Sequence, residues 1–419
     1  MRTTLLVLMV SGLAVAQDLK KNAGEKKDAA PANVDPRRID AAIDRGVAWL
    51  KGQAAGIYGE DLVLWTLVVS GLTEKDDDVR TMTGRILRCP LERTYHVALQ
   101  AMILEKLDRV KYQARIAECA QFLVDSMGPD GMWTYTGVVE APIGTTGGGN
   151  RGEATGSLKK KPKDAASEGT NVVATGPGGG DVSKKKDEPV APKDKPVEKW
   201  IEITKRRDGP RAGDHSNTQY AALGLRACHD AGIALPVAVI EKAAEQWRKS
   251  QQQGKGARGW NYSMSPGMAW GSMTAGGLGS LMIYDHILGK DYRKDADVID
   301  GLAWLAEHFT VAENPEGRSY SRWHYYYLYG LERAGMLYGT ETIGRHEWYA
   351  EGAAYLLKEQ SADGSWKSKE GFGAVDSCFA ILFLKRATVT LDKEKQPKPK
   401  PPPKPKEESR PDVETGKKE

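Results

Sequence analysis

The sequence predicts an all-α fold, and three observations carry that reading. Helical periodicities recur in pairs, an amphipathic stretch followed by one too apolar to face water. No strand-like run or hairpin signal interrupts them. A turn containing glycine and tryptophan also recurs, as GPDGMWTY (128–135), RGWNY (258–262) and ADGSW (362–366). Repetition of this kind marks one supersecondary unit stacked many times.

Taken in order, the periodic signal starts at Pro36, with Ile39, Ala42, Ile43, Val47 and Leu50 on one stripe, and closes at Gln53. A second helix, Glu60 to Leu72, is almost wholly apolar after Asp61. Amphipathic helices are then expected near 77–88, 109–127, 236–252, 294–308 and 346–359. Apolar helices are expected near 94–107, 216–231, 272–288, 322–336 and 374–387. That makes twelve helices in six pairs.

Composition sets the bounds on function. The 419 residues include 11 Trp and 16 Tyr but only 5 Phe, so aromatic side chains with a polar end predominate. A net charge of +4 gives no case for nucleic acid. Residues 1–16 read as a secretory signal peptide, with Arg2, an apolar run and Ala14-Val15-Ala16. The mature chain is therefore expected to be secreted or periplasmic, with no transmembrane segment. Residues 17–36 read as a flexible lead-in, 141–197 as a disordered Gly/Pro/Lys-rich insertion, and 391–419 as a disordered Pro/Lys-rich tail. Those Lys-rich stretches are solvated linkers, or else hold an acidic wall or membrane surface. The four cysteines are scattered; Cys89 and Cys119 could pair, and free buried thiols are the alternative.

The fullest copy of the recurring turn is WYAEGAAYLLKEQSADGSW (348–366), with Gly352, Tyr355, Leu356, Gln360, Gly364 and Trp366 in the pattern G-x-x-Y-L-x-x-x-Q-x-x-x-G-x-W. The glutamine can bind backbone groups freed at the helix end, and the tryptophan can plug the seam to the next helix. This pattern resembles the Gln-Trp repeat of squalene-hopene cyclases and the wider terpene cyclase and protein prenyltransferase superfamily. The resemblance implies an (α/α)6 toroid over residues 37–390, six inner helices ringed by six outer ones. If the inner helices run parallel, their N-termini open on one mouth.

First-turn polar and aromatic residues would then converge there. Candidate catalytic residues are Asp214 and His215, an acid–base pair, with Asp376 assisting. Asp214 and Asp376 are equally suited to cap their helices. Candidate ligand-binding residues are Asp61, His96, Asn217, Gln219, Trp270, Trp323, His324, Tyr326 and Tyr327. The aromatic run 322–335 either lines a cavity or forms the packing layer between helices.

The superfamily's chemistry is not carried over intact. The D-x-D-D of squalene-hopene cyclases is absent. Asp376-Ser377-Cys378 matches two zinc ligands of prenyltransferase β subunits, but no histidine follows His346, so no metal is assigned and no cofactor is implied. The Cys-Gly-Glu-Gln run of complement-type thioester proteins is also missing. The expectation is thus a binding protein for a small apolar, isoprenoid-like or sugar-like ligand. The alternatives are an enzyme, a cyclase or a polysaccharide lyase or hydrolase, working from the mouth, and an interaction scaffold.

Overall fold

Apolar spacing decides where each helix runs and which face it buries. The computed structural model describes residues 34–53, 59–137, 196–197, 199–263, 267–316, 323–368 and 372–391. The expected signal peptide, nearly all of the lead-in and insertion, and all of the tail beyond 391 lie outside them. Twelve α-helices occur among the described residues: α1 (Pro36–Gln53), α2 (Glu60–Val69), α3 (Asp77–Arg88), α4 (Thr94–Asp108), α5 (Gln113–Ser126), α6 (His215–Asp230), α7 (Val237–Ser250), α8 (Gly271–Ile287), α9 (Ala296–Glu307), α10 (His324–Tyr338), α11 (Trp348–Glu359) and α12 (Ala374–Leu384). None is long and apolar enough to cross a membrane.

The odd-numbered helices are one-sided and the even-numbered ones are buried all round. In α1 the buried residues are Ile39, Ala42, Ile43, Gly46 and Leu50, three or four apart. In α6 every residue except His229 is buried, and in α8 burial is continuous from Gly271 to Asp285. Carboxylates cap three of the helices where the sequence has them: Asp76 accepts from the backbone of Asp78 and Val79, Asp214 from Asn217, and Asp295 from Asp297.

Contacts between helices follow the same division. Among the apolar helices, α2 packs on α4, α4 on α6, α6 on α8, α8 on α10 and α10 on α12, and α12 returns to α2. The amphipathic helices pack against them: α1 on α12, α3 on α2, α5 on α4 and α6, α7 and α9 on α8, and α11 on α10 and α12.

Each recurring tryptophan makes the same pair of bonds. The indoles of Trp133, Trp260 and Trp366 donate to the carbonyls of Leu123, Trp247 and Leu356 in the preceding amphipathic helix, at 2.7, 2.7 and 2.8 Å. Their backbone N–H groups donate to the hydroxyls of Thr218, Thr274 and Ser377 in the next apolar helix, at 3.2, 3.1 and 3.0 Å. The glutamine binds backbone carbonyls as expected, but those of the turn and of a neighbouring helix instead of the ones freed at its own helix end. Gln360 Nε2 donates to the carbonyls of Ala42 and Gly364, and Gln251 Nε2 to those of Arg258 and Asp297. Two of the turns need glycine: Gly131 and Gly364 have φ of 81° and 89°, and a Cβ at Gly364 would lie 2.6 Å from the Arg45 carbonyl oxygen.

Two details differ from the sequence reading. A two-residue parallel pair joins β1 (Ile201–Glu202) to β2 (Ile233–Ala234) where no strand was expected; it is too short to leave an alternating pattern. All four cysteines are free, Cys89 exposed and the others buried, so Cys89 and Cys119 do not pair.

Candidate functional site

The first turns of all six apolar helices border one cavity of about 480 Å³. Helix α2 contributes Asp61 and Leu62, α4 Tyr95, His96 and Leu99, and α6 Ser216 and Tyr220. Helix α8 contributes Ser272 and Met273 with its N-cap Trp270, α10 contributes Tyr326 with its N-cap Trp323, and α12 contributes Val375 and Phe379. Loops add Arg93, Tyr135, Tyr262 and Asn314. Six helix N-termini directed at one space give it a positive partial charge from their dipoles.

The wall is mostly aromatic. Tyr95 stacks on Tyr135 at 5.9 Å and tilts against Tyr220 at 4.2 Å between ring centres. Trp323 lies edge-on to Tyr326 at 6.1 Å and stacks on Phe372 at 4.6 Å. Three rim aromatics stay open to solvent: Tyr135, Tyr262 and Trp323 are 57%, 36% and 42% exposed. The hydroxyls of Tyr135 and Tyr262 are bonded to each other at 3.0 Å.

Polar groups are few and organised. The Asp61 carboxylate is bonded to His96 Nδ1 at the rim, with Asp61 nearly covered and His96 more than half open. Deeper, Ser216 Oγ meets the hydroxyls of both Tyr95 and Tyr326. Burial pushes the Tyr326 phenol up to about 12 and the Tyr95 and Tyr220 phenols well above their ordinary value. All three are neutral at physiological pH.

Of the twelve sequence candidates, Asp61, His96, Trp270, Trp323 and Tyr326 line the cavity. The other seven do not, for identifiable reasons. Asp214 caps α6, taking the Asn217 backbone and side-chain N–H groups at 2.8 Å each, and also bonds Tyr262 from behind the wall. His215 is fully buried, stacked on Trp247 at 4.3 Å, with Nδ1 on the Asn261 carbonyl at 2.7 Å and Nε2 on Ser250 Oγ at 2.9 Å. Burial lowers its pKa to about 4. Both ring nitrogens are occupied by structural bonds, so Asp214 and His215 are not an acid–base pair facing the cavity.

Asp376 is buried and accepts from Ser368 N and Oγ, at 2.9 and 2.7 Å. Asn217 is spent on Asp214, and Gln219 lies below the wall, donating to Tyr326. His324 bonds the Val311 carbonyl at 2.9 Å, and Tyr327 is sunk in the core. Cys378 is buried, which pushes its thiol up to about 12. No group of three His, Cys, Asp or Glu side chains among the described residues is arranged to hold a metal ion.

Sequence reasoning missed the loop tyrosines. Tyr135 and Tyr262 each stand two residues after a joint tryptophan, in W-T-Y and W-N-Y, a repeated spacing that was available as a signal. No family model matches the chain, and no curated protein matches it.

Proposed function

We propose that the chain is an exported (α/α)6 toroid of the squalene cyclase and prenyltransferase kind that binds a small, largely apolar molecule in its central cavity. The observation that carries this reading is the cavity itself. The first turns of six helices from distant parts of the sequence supply its wall, and its volume lies in the range of small-molecule sites. The return of α12 to α2, with amphipathic helices packed against the apolar ones, supports the toroid. An apolar ligand is favoured over a sugar-like one because Leu62, Leu99, Met273, Val375 and Phe379 sit among the rings. A sugar would leave most of its hydroxyls facing these side chains without partners.

The test is binding of N-phenyl-1-naphthylamine, a neutral apolar fluorophore. Saturable enhancement is expected in the wild type and at least a tenfold weaker response in Val375→Trp, which places an indole in the cavity. Equal binding by the two proteins would move the site elsewhere.

One observation favours a second reading, an enzyme. The Asp61–His96 pair is the arrangement a general acid–base needs, a carboxylate orienting an imidazole at the edge of a pocket. The catalytic candidates would then be Asp61 and His96, in place of Asp214, His215 and Asp376. A turnover on an isoprenoid or polysaccharide substrate that His96→Gln abolishes would establish it. The expected contribution of the Lys-rich insertion and tail lies outside the described residues.

A further inference from the structure

Beneath the aromatic wall lies a buried charge that forms no salt bridge among the described residues. Arg333, in the third turn of α10, is 2% exposed. Its guanidinium sits over the Tyr329 ring at 4.2 Å, and Nη2 donates to Gln219 Oε1 at 2.8 Å. Its Nη1 is buried without a hydrogen-bond partner. The adjacent carboxylate, Glu332, is turned away, accepting from Thr388 N and Oγ1 at 2.9 and 2.8 Å. An arginine cannot shed its proton, and a buried charge without a partner is costly.

Hydrogen bonds connect Arg333 to the cavity wall. The guanidinium can only donate, so Gln219 receives through its oxygen and donates through Nε2 to Tyr326 at 2.6 Å. Tyr326, already an acceptor, has two hydroxyl neighbours for its single proton, Ser216 Oγ at 3.0 Å and Tyr95. Ser216 Oγ is bonded in turn to the Tyr95 hydroxyl. With Tyr326 donating to Ser216 and Ser216 to Tyr95, the Tyr95 O–H is free to donate to a ligand, and Tyr95 lines the cavity. Chains of this kind polarise one another, so the buried positive charge is expressed at the last hydroxyl. The six helix N-termini add to it in the same sense. The single carboxylate on the lining among the described residues, Asp61, is already bonded to His96.

We propose that the cavity's ligand carries a carboxylate, received by the Tyr95 hydroxyl and stabilised through the Ser216–Tyr326–Gln219 chain by Arg333. This rests on the binding reading above and adds the head group to it. Tyr95 contacts the ligand; Arg333 and Gln219 are positioning residues that act through Tyr326. The packing is specific to the chain, since a Cβ at Gly276 would lie 2.7 Å from the Gln219 amide.

Calorimetric titration with 2-naphthoate and with its neutral counterpart 2-naphthylmethanol, at neutral pH, tests it. The carboxylate is expected to bind about tenfold tighter in the wild type, the scale of one charge-assisted hydrogen bond. Tyr95→Phe and Arg333→Met should each bring that ratio close to one. Arg333→Lys, which keeps the charge, should retain part of it; a merely structural role would not track charge in this way. Equal affinities in the wild type, with N-phenyl-1-naphthylamine still bound, would overturn the head-group inference alone. So would a ratio that survives in both Tyr95→Phe and Arg333→Met. Failure of all three probes to bind would overturn the binding reading and this inference with it.

Discussion

Trp366→Ala is expected to lower the unfolding free energy by about 3–5 kcal/mol, read from urea denaturation followed by far-UV circular dichroism. The indole is fully buried, and its Nε1 donates to the Leu356 carbonyl at 2.8 Å. Its ring lies where α1 comes closest: a Cβ at Gly46 would sit 2.7 Å from Trp366 Cζ3. Truncation therefore opens a cavity between the first helix and the last two, and orphans a carbonyl as well. The neighbouring bonds of Gln360 to Ala42 and Gly364 hold the same corner and limit how far it can collapse. The cost should thus stay near the upper part of the range. Gly46→Ala overfills the same contact and should also destabilise, by about 1–3 kcal/mol. In the double variant the two costs should fall short of additive, because the added methyl loses its closest clash, with Trp366, and keeps the one with Ile381 at 2.9 Å. A loss below about 1 kcal/mol for Trp366→Ala would show that the corner carries no load.

This joint was legible in the sequence because its parts are local. A glutamine at a helix end, a glycine that must turn and a tryptophan two residues later lie within a few positions, so the chain alone displays them. The helices were legible for a similar reason, since their faces repeat every three or four residues. The cavity was only half legible. Sequence places a residue in a helix's first turn, but that turn points in several directions. In α6, Ser216 and Tyr220 face the cavity while His215 faces α7 and Asn217 turns back to the helix's own N-cap, Asp214. In α12 the facing residues are Val375 and Phe379, and Asp376 turns to Ser368. Tyr95 and Leu99 of α4 share that spacing of four. A comparison of phase among the apolar helices would have separated Asp214, His215 and Asp376 from the wall. Chemical type alone drew attention to them, because capping and catalysis favour the same residues.

His215 leads to the other large effect, a loss of stability in acid. Its folded pKa is about 4 against an ordinary value of 6.5, because burial penalises the imidazolium. Between those values the unfolded chain binds the proton and the native one does not, so stability rises with pH across that window. Lowering pH from 6.5 to 4 should remove about 3 kcal/mol through this group. Glu105 and Glu332 act in the opposite sense. Burial lifts both to about 7, so they favour the native state below 4.5 and lose that effect as pH rises through 7. The whole-protein profile therefore mixes the two, and the diagnostic quantity is the difference between wild type and His215→Phe. Phenylalanine keeps a ring against Trp247 and gives up the bonds to Asn261 and Ser250. At pH 8 the variant should be less stable by about 1–3 kcal/mol. That gap should shrink, and then reverse, as pH falls toward 4, because only the wild type loses the histidine's contribution. Urea denaturation at intervals across the window reads it directly. A gap that stays constant would mean that His215 titrates as it does in the unfolded chain, and that the stack on Trp247 is open to water.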